Sequence, residues 1–251
     1  MTGTARAGGV QVPCDRCPLR KLPAFRQFTP EELDFMMRFK VGELNVAPGA
    51  SVILEGIDSP HLYTVLSGWM FRHKTLPDGR RQILNFLLPG DLIGVQMAMM
   101  DKADHSVEAL TSATLCVFAR DNLWTLYRSY PELAYDVTWL AAREERLLDN
   151  HLLSVGRRTA EERLAYLLVH LFVRADNLAL PRGASLRFPL TQQHLADALG
   201  LSLVHTNRTL HRLIRRGLLT WRGGELAIAS VEALADVAGY VPAEAAPRPF
   251  L

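Results

Sequence analysis

Three cysteines in 251 residues are an odd count and too few for a disulfide scaffold, so a reducing compartment, the cytoplasm, is the expected home. No apolar run approaches the ~18 residues that cross a bilayer. Arg6 is followed by no apolar core of a secretory signal. No membrane partner is therefore expected. Histidine is sparse where it would matter for metal chemistry. The β-rich stretch has only His61, His73 and His105, with no His-x-His pair. A cupin-type metalloenzyme, which needs clustered His and carboxylate ligands, lacks its donors, and no catalytic residues are assigned. No internal repeat is present. The formal net charge is only +2, so affinity for a polyanion must come from charge gathered locally. With 49% hydrophobic and 22% charged residues, the composition is that of a soluble globular chain of one or two domains.

Charge is gathered between Thr191 and Arg222. This stretch holds five arginines (208, 212, 215, 216 and 222) against one acid, Asp197, a net of +4. Within it, TQQHLADALGLSLVHTNRTLHRLIRR predicts two helices joined by a tight turn. Thr191 can cap the first helix, whose buried face is Leu195, Ala198 and Leu199. Gly200 suits the left-handed end of that helix, and Ser202 can cap the second. Leu203, Leu210, Leu213 and Ile214 give the second helix its apolar face, and Gly217 closes it. That is the form of a DNA-reading helix-turn-helix with the electrostatic footprint of phosphate binding. A winged domain that binds protein instead would not need the basic bias.

Elsewhere the texture changes twice. Residues 1–12 are small and Gly/Ala-rich and are expected to be disordered. Thr29-Pro30-Glu31-Glu32 starts a short helix to about Arg38. From Val41 to Arg120, glycines at 49, 56, 68, 79 and 90 separate short β-favouring runs, among them HLYTVLSG and ATLCVFA. Pro77-Asp78-Gly79 and Pro89-Gly90-Asp91 are turns. This even spacing predicts a double-sheet jelly roll or a barrel. Pro131 then opens a long helix, read as ending before Gly156. Leu133, Val137, Leu140, Glu144, Leu147 and His151 fall on one seam of it, expected to bury against a second copy as a parallel coiled coil, the alternative being packing against the chain's own barrel. Thr159 and Glu162 make a capping box for the next helix, on which Leu164, Leu167, Leu168, Leu171 and Phe172 form the buried stripe. A short strand is expected at 186–188. LLTWRGGELAIA reads as a hairpin, the wing, turning at Gly223-Gly224, and Ser230 caps a last helix to about Ala238.

The expected fold class is α+β, in five parts. They are an arm carrying the CxxC pair (1–28), a β-roll sensor (29–130), a dimerisation helix (131–155), a winged helix-turn-helix (156–240) and a loose tail (241–251).

Roll, long helix and winged helix-turn-helix, in that order, resemble the CRP/FNR superfamily of bacterial transcription regulators. The residues carrying the resemblance are Pro89-Gly90-Asp91 with Ile93-Gly94, the run TAEERL at 159–164, and LTQQHLADALGLSLVHTNRTLHRL. The resemblance implies a homodimer on double-stranded DNA, with one recognition helix in each of two major grooves about 34 Å apart. It also implies contact with RNA polymerase and, more often than not, activation. The family's reading positions fall on Leu203, Val204, His205, Asn207 and Arg208, with Arg208 matching its base-contacting arginine. Val204 stands where an acidic residue is usual and Asn207 where FNR-type members have serine, so the usual half-site is not expected. Thr191, Gln192, Ser202, Arg212, Arg215, Arg216 and Arg222 are the expected phosphate contacts.

The signal divides the superfamily, and here the chain looks closer to the FNR branch than to cyclic-AMP receptors. Cyclic-nucleotide binders carry Gly-Glu-Leu and an arginine that grips the phosphate. Here the matching stretches are Gly94-Val95-Gln96 and His105-Ser106-Val107, which argues against cyclic AMP. Cys14, Cys17 and Cys116 match three of the four positions at which FNR-type members hold an iron–sulfur cluster. The position of the fourth cysteine is Pro23. A cluster, a thiol switch, a small molecule or haem are the effectors this reading leaves open, beside a metal-free cysteine pair.

Overall fold

The computed structural model describes residues 11–181, 185–241 and 247–251. The expected disorder of 1–12 falls almost wholly outside them. The chain divides into two compact units, whose described parts are 11–74, 86–145 and 247–251 in the first and 75–85, 146–181 and 185–241 in the second.

The first unit begins with a turn of 3-10 helix at Cys14–Arg16 and then α1 (Pro30–Phe39). Thr29 and Glu32 form the expected capping box. The roll follows with β1 (Lys40–Val46), β2 (Ser51–Ile53), β3 (His61–Ser67), β4 (Met70–Thr75), β5 (Arg81–Leu87, of which 81–85 count with the second unit), β6 (Leu92–Ile93), α2 (Val95–Met100), β7 (Ser106–Ala109) and β8 (Ala113–Ala119). Its two four-stranded sheets run in the orders β1-β8-β3-β6 and β2-β7-β4-β5, with antiparallel ladders between β8 and both β1 and β3, and between β7 and both β2 and β4. Every glycine picked out by spacing, from Gly49 to Gly90, has positive φ, so the punctuation has a backbone cause. Between the sheets Val65, Met70, Leu87, Ile93, Val107 and Leu115 form one apolar core. β1, β6 and α2 were not legible as separate elements. Two residues of strand carry too little pattern, and Gly42 interrupts β1, where the ladder to β8 slips.

After a short helix, α3 (Leu123–Ser129), comes α4 (Pro131–Arg157), a helix of 27 residues. Gly156 does not interrupt it. A single glycine costs a helix about 1 kcal/mol, and the break falls instead at Thr159, whose hydroxyl caps α5 (Ala160–Asp176).

The second unit is built from α5, β9 (Ser185–Arg187), α6 (Gln192–Leu199), α7 (Leu203–Arg215), β10 (Leu219–Arg222), β11 (Glu225–Ile228) and α8 (Val231–Ala238). The expected wing is the β10–β11 hairpin, with Gly223 and Gly224 both at positive φ, and β9 adds a third strand beside β11. Leu164, Leu168, Leu195, Leu199, Leu210, Leu213, Leu226 and Leu234 are its buried core.

The expectation of a loose tail is corrected for residues 247–251, while 242–246 lie outside the described residues. Phe250 is 4% exposed, with its ring 4.8 Å from Phe25 and stacked 5.2 Å from Phe28. Arg248 exchanges backbone hydrogen bonds with Ala24 and Arg26. Its guanidinium donates to the carbonyls of Pro89 and Gly90 and pairs with Asp91 at 3.3 Å. A Pro/Ala-rich composition says nothing about an Arg and a Phe that find partners more than a hundred residues away.

In the roll, burial pushes His105 down to about 4, helped by the charge of Arg72. His151 and His194 in the second unit are also lowered, again by burial first.

Two stability measurements follow from these contacts. Phe250→Ala should lower unfolding free energy by about 3 kcal/mol, the scale for emptying a buried aromatic site, in urea titrations. For His105, the unfolded imidazole takes its proton near 6.5 and the folded one only near 4. The unfolded state thus binds more protons between those values. Stability should be intact above about pH 6.5 and fall progressively toward pH 4. Denaturant titrations across that window should show a shallower fall for His105→Asn; identical slopes would remove His105 from the account.

Candidate nucleic-acid interface

The sharp turn between α6 and α7 is fixed by backbone chemistry. Thr191 accepts from the His194 N–H, and His194 Nδ1 accepts from the Thr191 N–H at 3.1 Å, a capping box with histidine in the usual place of an acid. That role requires the neutral ring, in keeping with its lowered pKa. Gly200 ends α6 at φ 63°, and Ser202 caps α7 by accepting from His205. Thr206 and Thr209 are buried, and each hydroxyl donates to a carbonyl one turn back, Ser202 and His205 respectively. These threonines were missed as packing residues because polar types carry no apolar periodicity. Leu203 was expected on the apolar face and is instead exposed, since it lies at the first residue of α7, ahead of the buried stripe of Thr206, Leu210 and Leu213.

The reading positions stand clear of the core. Val204 is 61% exposed, and His205 and Arg208 are exposed. Asn207 is half-buried and donates to Gln192 Oε1 at 2.7 Å, so one residue of α6 orients a reading residue of α7. Thr191 and Ser202 are exposed and Gln192 is half-buried, all at the N-terminal ends of α6 and α7, where backbone N–H groups favour anions. Among the described residues, Arg208, Arg215 and Arg222 make no ion pair. Arg212 and Arg216 do, both with Glu161 on α5, at 3.2 Å for Arg212 and with a closer contact for Arg216. Asp197, the one acid of the stretch, pairs with Arg81 at 2.9 Å.

Much of the expected seam of α4 is already covered within the single chain. Leu133 and Val137 are wholly buried in the single chain and Leu140 nearly so. Glu144 pairs with Arg72 at 2.8 Å, Leu147 is half-buried, and His151 Nε2 lies 3.2 Å from Gln82 Nε2. Among the apolar residues of α4 left exposed are Ala141, Leu148 and Leu152, one position further on and the last 72% exposed, beside Tyr135 and Leu153. Periodicity identifies residues that share a face. It does not say what that face meets, and here the more apolar face serves the chain's own packing.

Cys14 and Cys17 share one neighbourhood with Cys116, about a hundred residues later in sequence. Cys116 on β8 is opposite Glu43 on β1 and Thr64 on β3. The Lys40 ammonium, which donates to Val12 O at 2.6 Å and pairs with Glu43 at 2.5 Å, acts electrostatically on all three thiols. Burial nevertheless raises each of them, Cys116 to about 12. Among the described residues no group of three or more His, Cys, Asp or Glu is disposed to hold a metal ion. Among the described residues the three thiols, with an ammonium beside them and Pro23 at the fourth position, are one thiolate short of a four-thiolate cluster. No helix among the described residues is long and apolar enough to cross a membrane.

Two family models match the chain: a cyclic nucleotide-binding domain over residues 43–130 and a Crp-like helix-turn-helix domain over 162–237. The nitrogen fixation regulation protein FixK of Bradyrhizobium diazoefficiens is 36% identical over 197 residues, 76% of this chain and 81% of that protein. The transcriptional activatory protein AadR of Rhodopseudomonas palustris is 30% identical over 81% of this chain and 83% of that one. Among solved structures, FixK2 from Bradyrhizobium japonicum superposes with a TM-score of 0.71 at 26% identity, covering 80% of this chain and 98% of that chain. With its roll, long helix and capped, arginine-bearing reading helix, the chain belongs to the CRP/FNR family of DNA-binding transcription regulators.

Proposed function

We propose that this chain is a homodimeric transcription activator in which Arg208 reads a base and Val204, His205 and Asn207 refine the choice. The observation that carries this reading is the exposure of Val204, His205 and Arg208 on the first two turns of a helix whose entry is locked by Gly200 and Ser202. An unpaired arginine can pair bidentately with guanine, and an exposed valine suits a thymine methyl. Asn207, already bonded to Gln192, offers its remaining amide groups to adenine. Arg215 and Arg222, with the N-terminal ends of α6 and α7 at Thr191, Gln192 and Ser202, hold phosphate. Activation follows the likeness to AadR, a transcriptional activatory protein, and contact with RNA polymerase follows from the family resemblance.

Two copies would meet along Ala141, Leu148 and Leu152 of α4, the stripe exposed in the single chain. The signal enters at the roll. Tight binding of cyclic AMP is not part of the reading, because the position of the phosphate-gripping arginine is His105, which burial keeps neutral. The effector chemistry favoured here is a small molecule bound in the roll, or a peroxide that takes two electrons from a thiol around Lys40, leaving a sulfenic acid and releasing water or alcohol.

Arg208→Ala should remove sequence preference while leaving affinity for random duplex nearly intact. Arg215→Ala should weaken binding to all sequences and lower the log–log salt slope by about 0.9. Equal losses on selected and random DNA for both variants, measured by anisotropy at several salt concentrations, would reject this division. Leu152→Asp should sediment as a folded monomer, whereas a variant that remains dimeric would exclude the stripe.

A further inference from the structure

Arg208, Arg212 and Arg216 are four residues apart and so line one face of α7 as a row of three cations. A row of this kind attracts any phosphate backbone, whatever its sequence. One acid meets it. Glu161 lies in the first turn of α5, where Glu162, and not Glu161, completes the capping box with Thr159. The Glu161 carboxylate is therefore spare, and it spans the last two members of the row, Oε2 to Arg212 at 3.2 Å and Oε1 to Arg216. Its side chain is 18% exposed against 60% for Arg212 and 47% for Arg216, so the acid is held by the protein while the arginines reach out to it. Exposed pairs of this type contribute about 0–1 kcal/mol to folding, too little for their main effect to be stability.

We propose that Glu161 determines specificity in the reading unit by withholding Arg212 and Arg216 from DNA phosphate. The proposal rests on the DNA-binding reading above. Arg208 remains the one unpaired cation of the row, at the end that reads bases. Sequence-independent affinity falls, and the ratio between operator and random DNA rises. Arg212 and Arg216, expected from sequence to be phosphate contacts, are then reserve charges, used only when a phosphate displaces the carboxylate.

The test measures the full-length protein on a random-sequence duplex at a series of sodium chloride concentrations. Glu161→Gln keeps the side-chain shape and removes its charge. It should bind several-fold more tightly at low salt, with a log–log slope steeper by about 0.9 for each arginine released. Arg212→Ala should barely change the slope of the wild type but take about 0.9 from that of the Glu161→Gln variant. Thermal unfolding should be the same for Glu161→Gln and wild type. An unchanged slope for Glu161→Gln, or an equal loss from Arg212→Ala in both backgrounds, would overturn the proposal. A lowered melting temperature without a slope change would make Glu161 a structural brace instead. Wild-type protein without affinity for any duplex would reject the DNA-binding reading, and this proposal with it.

Discussion

A buried carboxylate, Asp91, sets the arrangement of the first unit. An ionised group taken from water is tolerated only with hydrogen bonds and opposite charge around it. Asp91 has both. It accepts from the Leu88 N–H at 2.9 Å and pairs with Arg143 of α4 and Arg248 of the last segment, each at 3.3 Å. The Pro89–Gly90 turn, the long helix and residues 247–251 therefore converge on one side chain. Gly90 is required at that point. Its φ is 85°, and a Cβ there would lie 2.3 Å from the Phe25 ring. The packing of Phe250 between Phe25 and Phe28 follows from the same convergence, since Arg248 anchors the segment beside Phe25.

The second unit rests on a different device. α6 has 8 residues and α7 has 13, lengths that are marginal in isolation. Side-chain caps at Thr159, Thr191, Ser202 and Ser230 satisfy helix N-termini that would otherwise depend on water. With the ends fixed, the exposed flank of α7 is free to carry valine, histidine and arginine without cost to the core. Charge is then sorted by acids outside the reading helix: Asp197 engages Arg81, and Glu161 engages Arg212 and Arg216.

Most of the fold was legible because its signals are local. The caps, the positive-φ glycines and the Gly223-Gly224 turn each depend on residues within a few positions. The turn that leaves Val204, His205 and Arg208 exposed on α7 was legible for the same reason. What was not legible depends on distant partners. Gln192 as the support of Asn207, the buried Thr206 and Thr209, and the engagement of Arg212 and Arg216 by an acid some fifty residues earlier leave no mark in spacing. The seam of α4 is the instructive case. Leu133, Val137 and Leu140 were correctly placed on one face, but that face is consumed inside the chain, and the exposed stripe lies one residue on.

By itself, then, the sequence determined where most helices and the longer strands lie, where the capped helices begin, and that cations collect on one helix, because each of these is set by neighbours along the chain. Only the tertiary structure decided which apolar face of α4 stays exposed, which arginines are already paired, that three cysteines lie near Lys40, and that the last residues are packed. Those outcomes depend on burial and on charges brought together from distant positions, and neither quantity is written in local spacing.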